Sequence, residues 1–397
     1  MANQMNDIKI CKEVEELTSE MTEWRHYLHE HPETAFEEYH TSDFVAEKLK
    51  SFGLEVSRGM AKTGVVATLS KGVPKSNQAI AFRADMDALD MEEKNKISYR
   101  SKNKGKMHAC GHDGHMTMLL GAAKVLSESN AFKGTIHFIF QPAEENEGGG
   151  GVMVKEGLFE QFPAERIFGM HNFPAVPAGM FGMCVGPMMA AYDVFDINIT
   201  GVGGHAAMPH LTRDPVITAS TIISQLQTLV SRNTHPLDSA VLSVTEIHGG
   251  TAYNIIPDNV IIRGTTRHFN PNVQKLIQTG MEETITGVAK ATGTKAELIY
   301  EKRYPALVNT ELETKQALEV ASSLVGESKV IPDLRPIMGS EDFAFMLQKR
   351  PGAYMGIGSG SETHSASIHQ ATYDFNDEIL PLGASYWVAL AEKLLPC

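Results

Sequence analysis

Between residues 64 and 171, short apolar runs alternate with stretches of helical spacing, and this alternation limits the possible folds more than any other feature. Gly64-Val65-Val66-Ala67-Thr68-Leu69, Ala79-Ile80-Ala81-Phe82, Thr135-Ile136-His137-Phe138-Ile139-Phe140 and Ile167-Phe168-Gly169-Met170 read as strands. Helical patterns fill 114–128 and roughly 151–160. Ahead of them, Val14, Leu17, Met21, Trp24 and Leu28 mark an amphipathic helix stopped by Pro32. Strands alternating with helices imply a largely parallel sheet covered on both faces. In such sheets ligands gather at the carboxyl ends of the strands. Asp85, Glu144, Glu145 and His171 stand at or just beyond those ends.

Near residue 190 the pattern changes. Residues 193–201 alternate in strand fashion, 215–232 reads as a long helix, and Ala240–His248 and 259–269 read as further strands. A second helix, Pro271–Thr292, precedes a strand at 295–300. This β-α-β-β-α-β order is that of a two-layer α+β sandwich of ferredoxin-like type. After Pro305 the α/β alternation resumes, with a helix at 313–324 and an apolar strand at 353–358. The expected architecture is therefore α/β: a mostly parallel-sheet catalytic domain, 1–188 and 306–397, interrupted by an inserted α+β domain, 189–305.

Composition narrows the function. A net charge of −13 over 397 residues argues against nucleic acid or an anionic membrane as partner, since both demand basic surface. Cys11, Cys110, Cys184 and Cys397 are too few for a disulfide framework in so long a chain, which points to a reducing compartment. The first twenty residues are charged and lack the apolar core of a signal peptide, and no run approaches a membrane span. A cytoplasmic protein is expected.

The chemistry-bearing residues are scattered. Cys110-Gly111-His112 places a thiol and an imidazole two residues apart, a spacing that converges from a loop but not from one helix face. Glu144 and Glu145 follow a strand and a proline; adjacent side chains diverge, so one can hold a metal while the other faces substrate. His171 follows a strand, and His369 lies in an aperiodic segment beside Ser367 and Gln370. Each signal alone also suits a plainer role: a buried structural cysteine, a solvated acidic turn, a histidine capping a sheet, a surface histidine. Together they supply one thiolate, three imidazoles and two carboxylates, more than a single tetrahedral zinc takes and enough for a two-metal hydrolytic centre. His29 and His31, which close the first helix, read as structural, and His108 and His115 as supporting residues at most.

These segments resemble the M20 metallopeptidase superfamily, in particular its amidohydrolase branch of hippurate hydrolases, N-acyl-amino-acid deacylases and indole-acetyl-amino-acid hydrolases. The likeness runs through Leu28-His29-Glu30-His31-Pro32-Glu33, Arg83-Ala84-Asp85-Met86-Asp87-Ala88-Leu89, the segment 107–115 and Gln141-Pro142-Ala143-Glu144-Glu145. It continues in Gly203-Gly204-His205-Ala206-Ala207-Met208-Pro209-His210, Asn254-Ile255-Ile256-Pro257, Gly339-Ser340-Glu341-Asp342-Phe343 and His369. The resemblance implies a two-metal amidohydrolase, of aminoacylase or hippurate-hydrolase type, that cleaves small N-acyl amino acids to a carboxylic acid and an amino acid. It implies two divalent ions (Zn, Mn, Ni or Co) held by Cys110, His112, Glu145, His171 and His369, with Glu144 as general acid/base. Asp85 would orient a ligand histidine, His205 would stabilise the oxyanion, and Asn254 and Arg267 would contact substrate. The inserted domain would pair subunits into a homodimer or higher homo-oligomer and act as a lid. Where Arg83 stands, other branches place a ligand histidine, and near Cys110 a bridging aspartate; this chain agrees with the cysteine-bearing branch. Alternatives are a dipeptidase or carboxypeptidase of the same superfamily, or a non-catalytic metal-binding protein. A zinc base deaminase is disfavoured because no Pro-Cys-x-x-Cys follows His108-Ala109-Cys110.

Overall fold

A computed structural model describes residues 8–72, 78–145 and 147–397. The chain forms two compact units: the first takes residues up to Met188 with Val308–Arg335 and Asp342–Cys397, and the second takes Met189–Leu307 with Pro336–Glu341.

The first unit is an α/β body around an eight-stranded sheet. In spatial order its strands are Glu55–Met60, Gly64–Lys71, Gly134–Gln141, Ala79–Asp85, Arg166–Pro177, Gly352–Gly360, Phe181–Gly182 and Val330–Ile331. The central four, from Gly134–Gln141 to Gly352–Gly360, run parallel, while Glu55–Met60 and Gly64–Lys71 form an antiparallel margin. Their continuous apolar runs follow from burial on both faces. Register places Phe82 directly between Phe138 and Phe168. The three rings meet edge-on, with centroids 6.2 and 6.3 Å apart, and Trp387 of the helix Leu380–Leu394 lies 4.8 Å from Phe82. Each such buried side chain contributes about 1.5–3 kcal/mol, so this aromatic row anchors the sheet on which the functional residues stand.

Several elements differ from the sequence pattern. The amphipathic stretch before Pro32 is two helices, Lys12–Glu16 and Thr18–Glu30, joined at Leu17, with Val14, Met21, Trp24 and Leu28 on the buried side. The helix at 151–160 is likewise split, into Gly149–Lys155 and Leu158–Gln161, because Gly157 adopts a φ of 89° between them. The strand expected to end at Met170 continues to Pro177, so His171 lies within it and pairs with Gly356 rather than following it. Sequence periodicity did not reveal Tyr39–Ser51, Glu55–Met60 or Leu380–Leu394.

The second unit is the two-layer sandwich. Its antiparallel strands lie in the order Ala240–His248, Asn259–His268, Ala191–Thr200, Lys295–Tyr304. Alternate residues Phe195, Ile197 and Ile199 pack with Ile222 and Leu226 of the helix Pro215–Thr228 and with Ile277, Met281 and Ile285 of Pro271–Thr292. Both helices begin with proline, and the side chains of Asp214 and Asn270 accept the exposed amides of Val216 and Asn272. The segment 336–341, placed by sequence with the catalytic domain, belongs here: the Ala190 amide donates to the carbonyls of Ile337 and Gly339. Among the described residues, no helix is long and apolar enough to cross a membrane.

Candidate metal centre

At the carboxyl edge of the first unit's sheet, a loop leads through Cys110 into the helix His112–Glu128, the most buried helix of that unit. Gly111 makes the turn with a φ of 100°, and a Cβ there would fall 2.3 Å from Asn172 Oδ1 and 2.8 Å from the Tyr373 hydroxyl. Only glycine meets both the left-handed backbone and the close approach. The strand Arg166–Pro177 delivers His171, and the turn after Gly134–Gln141 delivers Glu144 and Glu145. His369, whose own φ is 63°, is fixed by its amide donating to Ala109 O at 2.7 Å.

These parts converge. Cys110, His112 and His171 present donor atoms all within 4.8 Å of one another; so do Cys110, Glu145 and His369, and so do His112, Glu144 and Glu145. Cys110 Sγ lies 3.3 Å from His171 Nε2, and Glu145 Oε1 lies 3.2 Å from His369 Nε2 and 3.9 Å from His112 Nε2. The tautomers suit ligation. His112 Nδ1–H donates to the Asp87 carbonyl at 2.7 Å, and His171 Nδ1–H donates to the Asn172 carbonyl at 2.8 Å. Both Nε2 lone pairs are therefore turned to the centre.

The electrostatics call for positive charge. Burial alone would lower His112, but the carboxylates of Asp85, Asp87 and Glu145 carry it up to about 10. Burial, reinforced by Glu145, Glu144 and Asp85, raises the Cys110 thiol well above its ordinary range. Burial and the neighbouring His115 hold His171 well below its usual value, leaving it a neutral imidazole. Among the described residues, buried His112 Nε2 and Glu145 Oε1 have no hydrogen-bond partner. Orphaned buried polar atoms of this kind are costly unless a ligand engages them. Thiolate, imidazole and carboxylate are the donors of transition-metal sites, so the residues fit divalent cations.

Asp85 stands between two imidazoles. Its Oδ1 pairs with His115 Nδ1 at 2.6 Å and its Oδ2 with Arg83 at 2.8 Å, while His112 Nε2 stays 3.7 Å away. The imidazole it holds is thus His115, whose Nε2 reaches Asn172 Oδ1 at 2.7 Å, next to His171. The group that orients His112 is Asp87, which sequence reasoning left without a role; Asp87 Oδ2 also accepts the Glu145 amide at 3.0 Å. Its place in the Asp85-Met86-Asp87 run was the available signal. His29 is wholly buried against Asp113 and Glu93.

In the second unit His205 is exposed and pairs with Ile255, with Asn254 O accepting the Ala206 amide beside it. Arg267 lies elsewhere on that unit, half-buried, its guanidinium 4.1 Å above the Tyr192 ring. His205 and Asn254 sit near the Asn259 end of the strand Asn259–His268, and Arg267 near the other. Roughly 26 Å of strand separates Asn259 from Arg267, at about 3.3 Å per residue.

The fold and the converging donors define the class: a metal-dependent hydrolase. The Peptidase family M20/M25/M40 matches residues 81–393, and the chain belongs to that family. It is 40% identical over 388 residues to the hippurate hydrolase of Campylobacter jejuni, covering 98% of this chain and all of that one. It is also 40% identical to the IAA-amino acid hydrolase ILR1-like 2 of Arabidopsis thaliana, over 94% of this chain and 85% of the relative. The Bacillus subtilis YXEP protein, described as a dinuclear metal binding peptidase from the M20 family, superposes with a TM-score of 0.83 at 32% identity, covering 96% of this chain and 99% of that one. The chain is accordingly an enzyme of metal-dependent amide hydrolysis.

Proposed function

We propose that the enzyme hydrolyses small N-acyl amino acids to a carboxylic acid and a free amino acid at a two-metal centre. The observation that carries this reading is that one sulfur, Cys110 Sγ, belongs to two donor groups at once, with His112 and His171 on one side and with Glu145 and His369 on the other. A thiolate so placed can serve two cations. Cys110, His112 and His171 would hold one and Cys110, Glu145 and His369 the second; the donors admit zinc, manganese, cobalt or nickel. When bound, the ions polarise the acyl carbonyl and make a water acidic near neutral pH.

Glu144, buried beside His112 and Glu145, takes the proton of the attacking water and returns it to the departing nitrogen. The second transfer is needed because an amide anion leaves poorly. His205, exposed at the end of the short strand Gly204–His205, donates a hydrogen bond to the developing oxyanion, and Asn254 and Arg267 contact substrate. The separation of Arg267 from His205 and Asn254 within the inserted unit supports their acting from different subunits, since a small substrate cannot touch both ends. A homodimer formed through the inserted unit, as lid and pairing surface, follows. Four unpaired cysteines and the reactive role of Cys110 suit a reducing, cytoplasmic setting.

Glu144→Gln is expected to bind metal and fold normally yet lose kcat by about 10²–10⁴-fold. Near-normal turnover in that variant would remove Glu144 from the reaction. A panel of hippurate, N-acetyl amino acids and dipeptides, with metal analysis of the purified protein, separates an aminoacylase from a dipeptidase.

A further inference from the structure

Ala143 stands immediately before the Glu144–Glu145 pair with a φ of 55°. A non-glycine residue holds the left-handed region only where its surroundings over-determine it. Here hydrogen bonds fix the backbone on both sides of Glu144. The Ala143 amide donates to Glu38 Oε1 at 2.9 Å, the Ala143 carbonyl accepts the Gly149 amide at 3.0 Å, and the Glu145 amide donates to Asp87 Oδ2 at 3.0 Å. Gly149 approaches so closely that a Cβ there would lie 1.9 Å from Pro142 O.

Of these supports, Glu38 is the one with no other visible purpose at the centre. It comes from just ahead of the helix Tyr39–Ser51, is wholly buried, and is far from Ala143 in sequence. Its Oε2 is held at 2.6 Å by the hydroxyl of Thr63. Thr63 itself follows two more left-handed residues, Ala61 at 45° and Lys62 at 69°, and its amide donates to Ala61 O. A buried carboxyl thus bridges two strained turns.

We propose that Glu38 is a positioning residue for the reaction: by accepting the Ala143 amide it locks the left-handed kink that aims Glu144 at substrate and Glu145 at the cations. The inference rests on the reading of Glu144 as acid/base. Without the Glu38 oxygen, the Ala143 amide would be buried unpaired, and the residue would relax toward ordinary φ, swinging the next two carboxylates out of line. Burial carries the Glu38 carboxyl up to about 7 against the opposing Thr63 hydrogen bond. Ionised or neutral, Oε1 can accept the Ala143 amide, and the neutral form can still pair with Thr63. An amide at position 38 would do the same.

The test compares Glu38→Leu, Glu38→Gln and Ala143→Gly, singly and combined, in the full-length metal-loaded enzyme, beside Mn²⁺ titrated calorimetrically into the metal-free protein. Glu38→Leu should lower kcat about 10–100-fold with KM little changed, and should weaken Mn²⁺ binding about tenfold. Glu38→Gln should stay within about threefold of the parent on both measures. Glycine adopts φ near +55° freely, so Ala143→Gly in the leucine background should regain about tenfold in kcat. Should the leucine variant not fold, Glu38→Asp, whose shorter side chain withdraws the oxygen, carries the same comparison. The proposal is overturned if the shortened or apolar variant keeps parental kcat and Mn²⁺ affinity, if Glu38→Gln is as damaged as Glu38→Leu, or if glycine at 143 restores nothing. The Mn²⁺ measurement still reports on the clamp if Glu144→Gln proves active, so the two readings fail separately.

Discussion

A single residue can hold two groups of the candidate site, one with its backbone and one with its side chain, and Asp87 is the case in point. Its carbonyl sets the tautomer of His112 while its carboxylate fixes the backbone of Glu145. Asp87→Ala keeps the carbonyl but leaves the Glu145 amide without its acceptor. Metal affinity is expected to fall about 10–100-fold, read by titration of the metal-free protein. Unchanged affinity would show that the turn needs no such tie. The residue scale is also where sequence reading was least complete. Cys110, His112, Glu145, His171 and His369 could be proposed because their types suit metal ligation and the family resemblance selects them from the sixteen histidines and many carboxylates. Asp87 and Glu38 could not, since a carboxylate gains its meaning from what it touches, and those partners are distant in sequence.

Between elements, buried charge joins the helix Thr18–Glu30 to the start of the helix His112–Glu128. His29 Nδ1 pairs with Asp113 Oδ2 at 2.8 Å, and Arg25, buried alongside, pairs with Asp374 and Asp377. Burial opposes a charge on His29, but Asp113 and Glu93 outweigh it and raise the imidazole from 6.5 to about 9. Because the folded value is the higher one, this group's stabilisation is fully present below about pH 6.5 and is lost as pH rises through about 9. The melting temperature of the metal-saturated enzyme should therefore drop between about pH 6.5 and 9.5. In His29→Gln the start should be lower and the slope flatter. An identical slope in both proteins would show that His29 titrates normally. The histidine read from sequence as merely closing a helix is thus an ion-pair partner, a fact that periodicity could not carry.

For the whole molecule the decisive question is whether one subunit completes another's site. His205→Ala and Glu144→Gln should each be nearly inactive alone. If His205 acts in trans, mixing and re-forming dimers from equal amounts should restore about a quarter of parental activity, since half the dimers are mixed and each has one intact site. No recovery, with exchange verified by mass, would place His205 in its own subunit's site or outside the reaction. Light scattering on the unmixed enzyme checks the dimer itself.

The strand–helix alternation and the change of pattern near 190 were determined by the sequence alone, because hydrophobic period is a local property; the candidate metal-binding side chains were suggested by residue type together with the family resemblance. The α/β class and the interrupted order of the first unit follow from the alternation and its change. Only the tertiary structure decided that His171 sits within a strand, that Asp85 grips His115, and that segment 336–341 packs with the inserted unit. It alone placed Glu38 against Ala143. Those outcomes depend on which backbone amides and carbonyls find partners once the chain is closed, and a hydrogen bond between residues distant in sequence leaves no periodic trace.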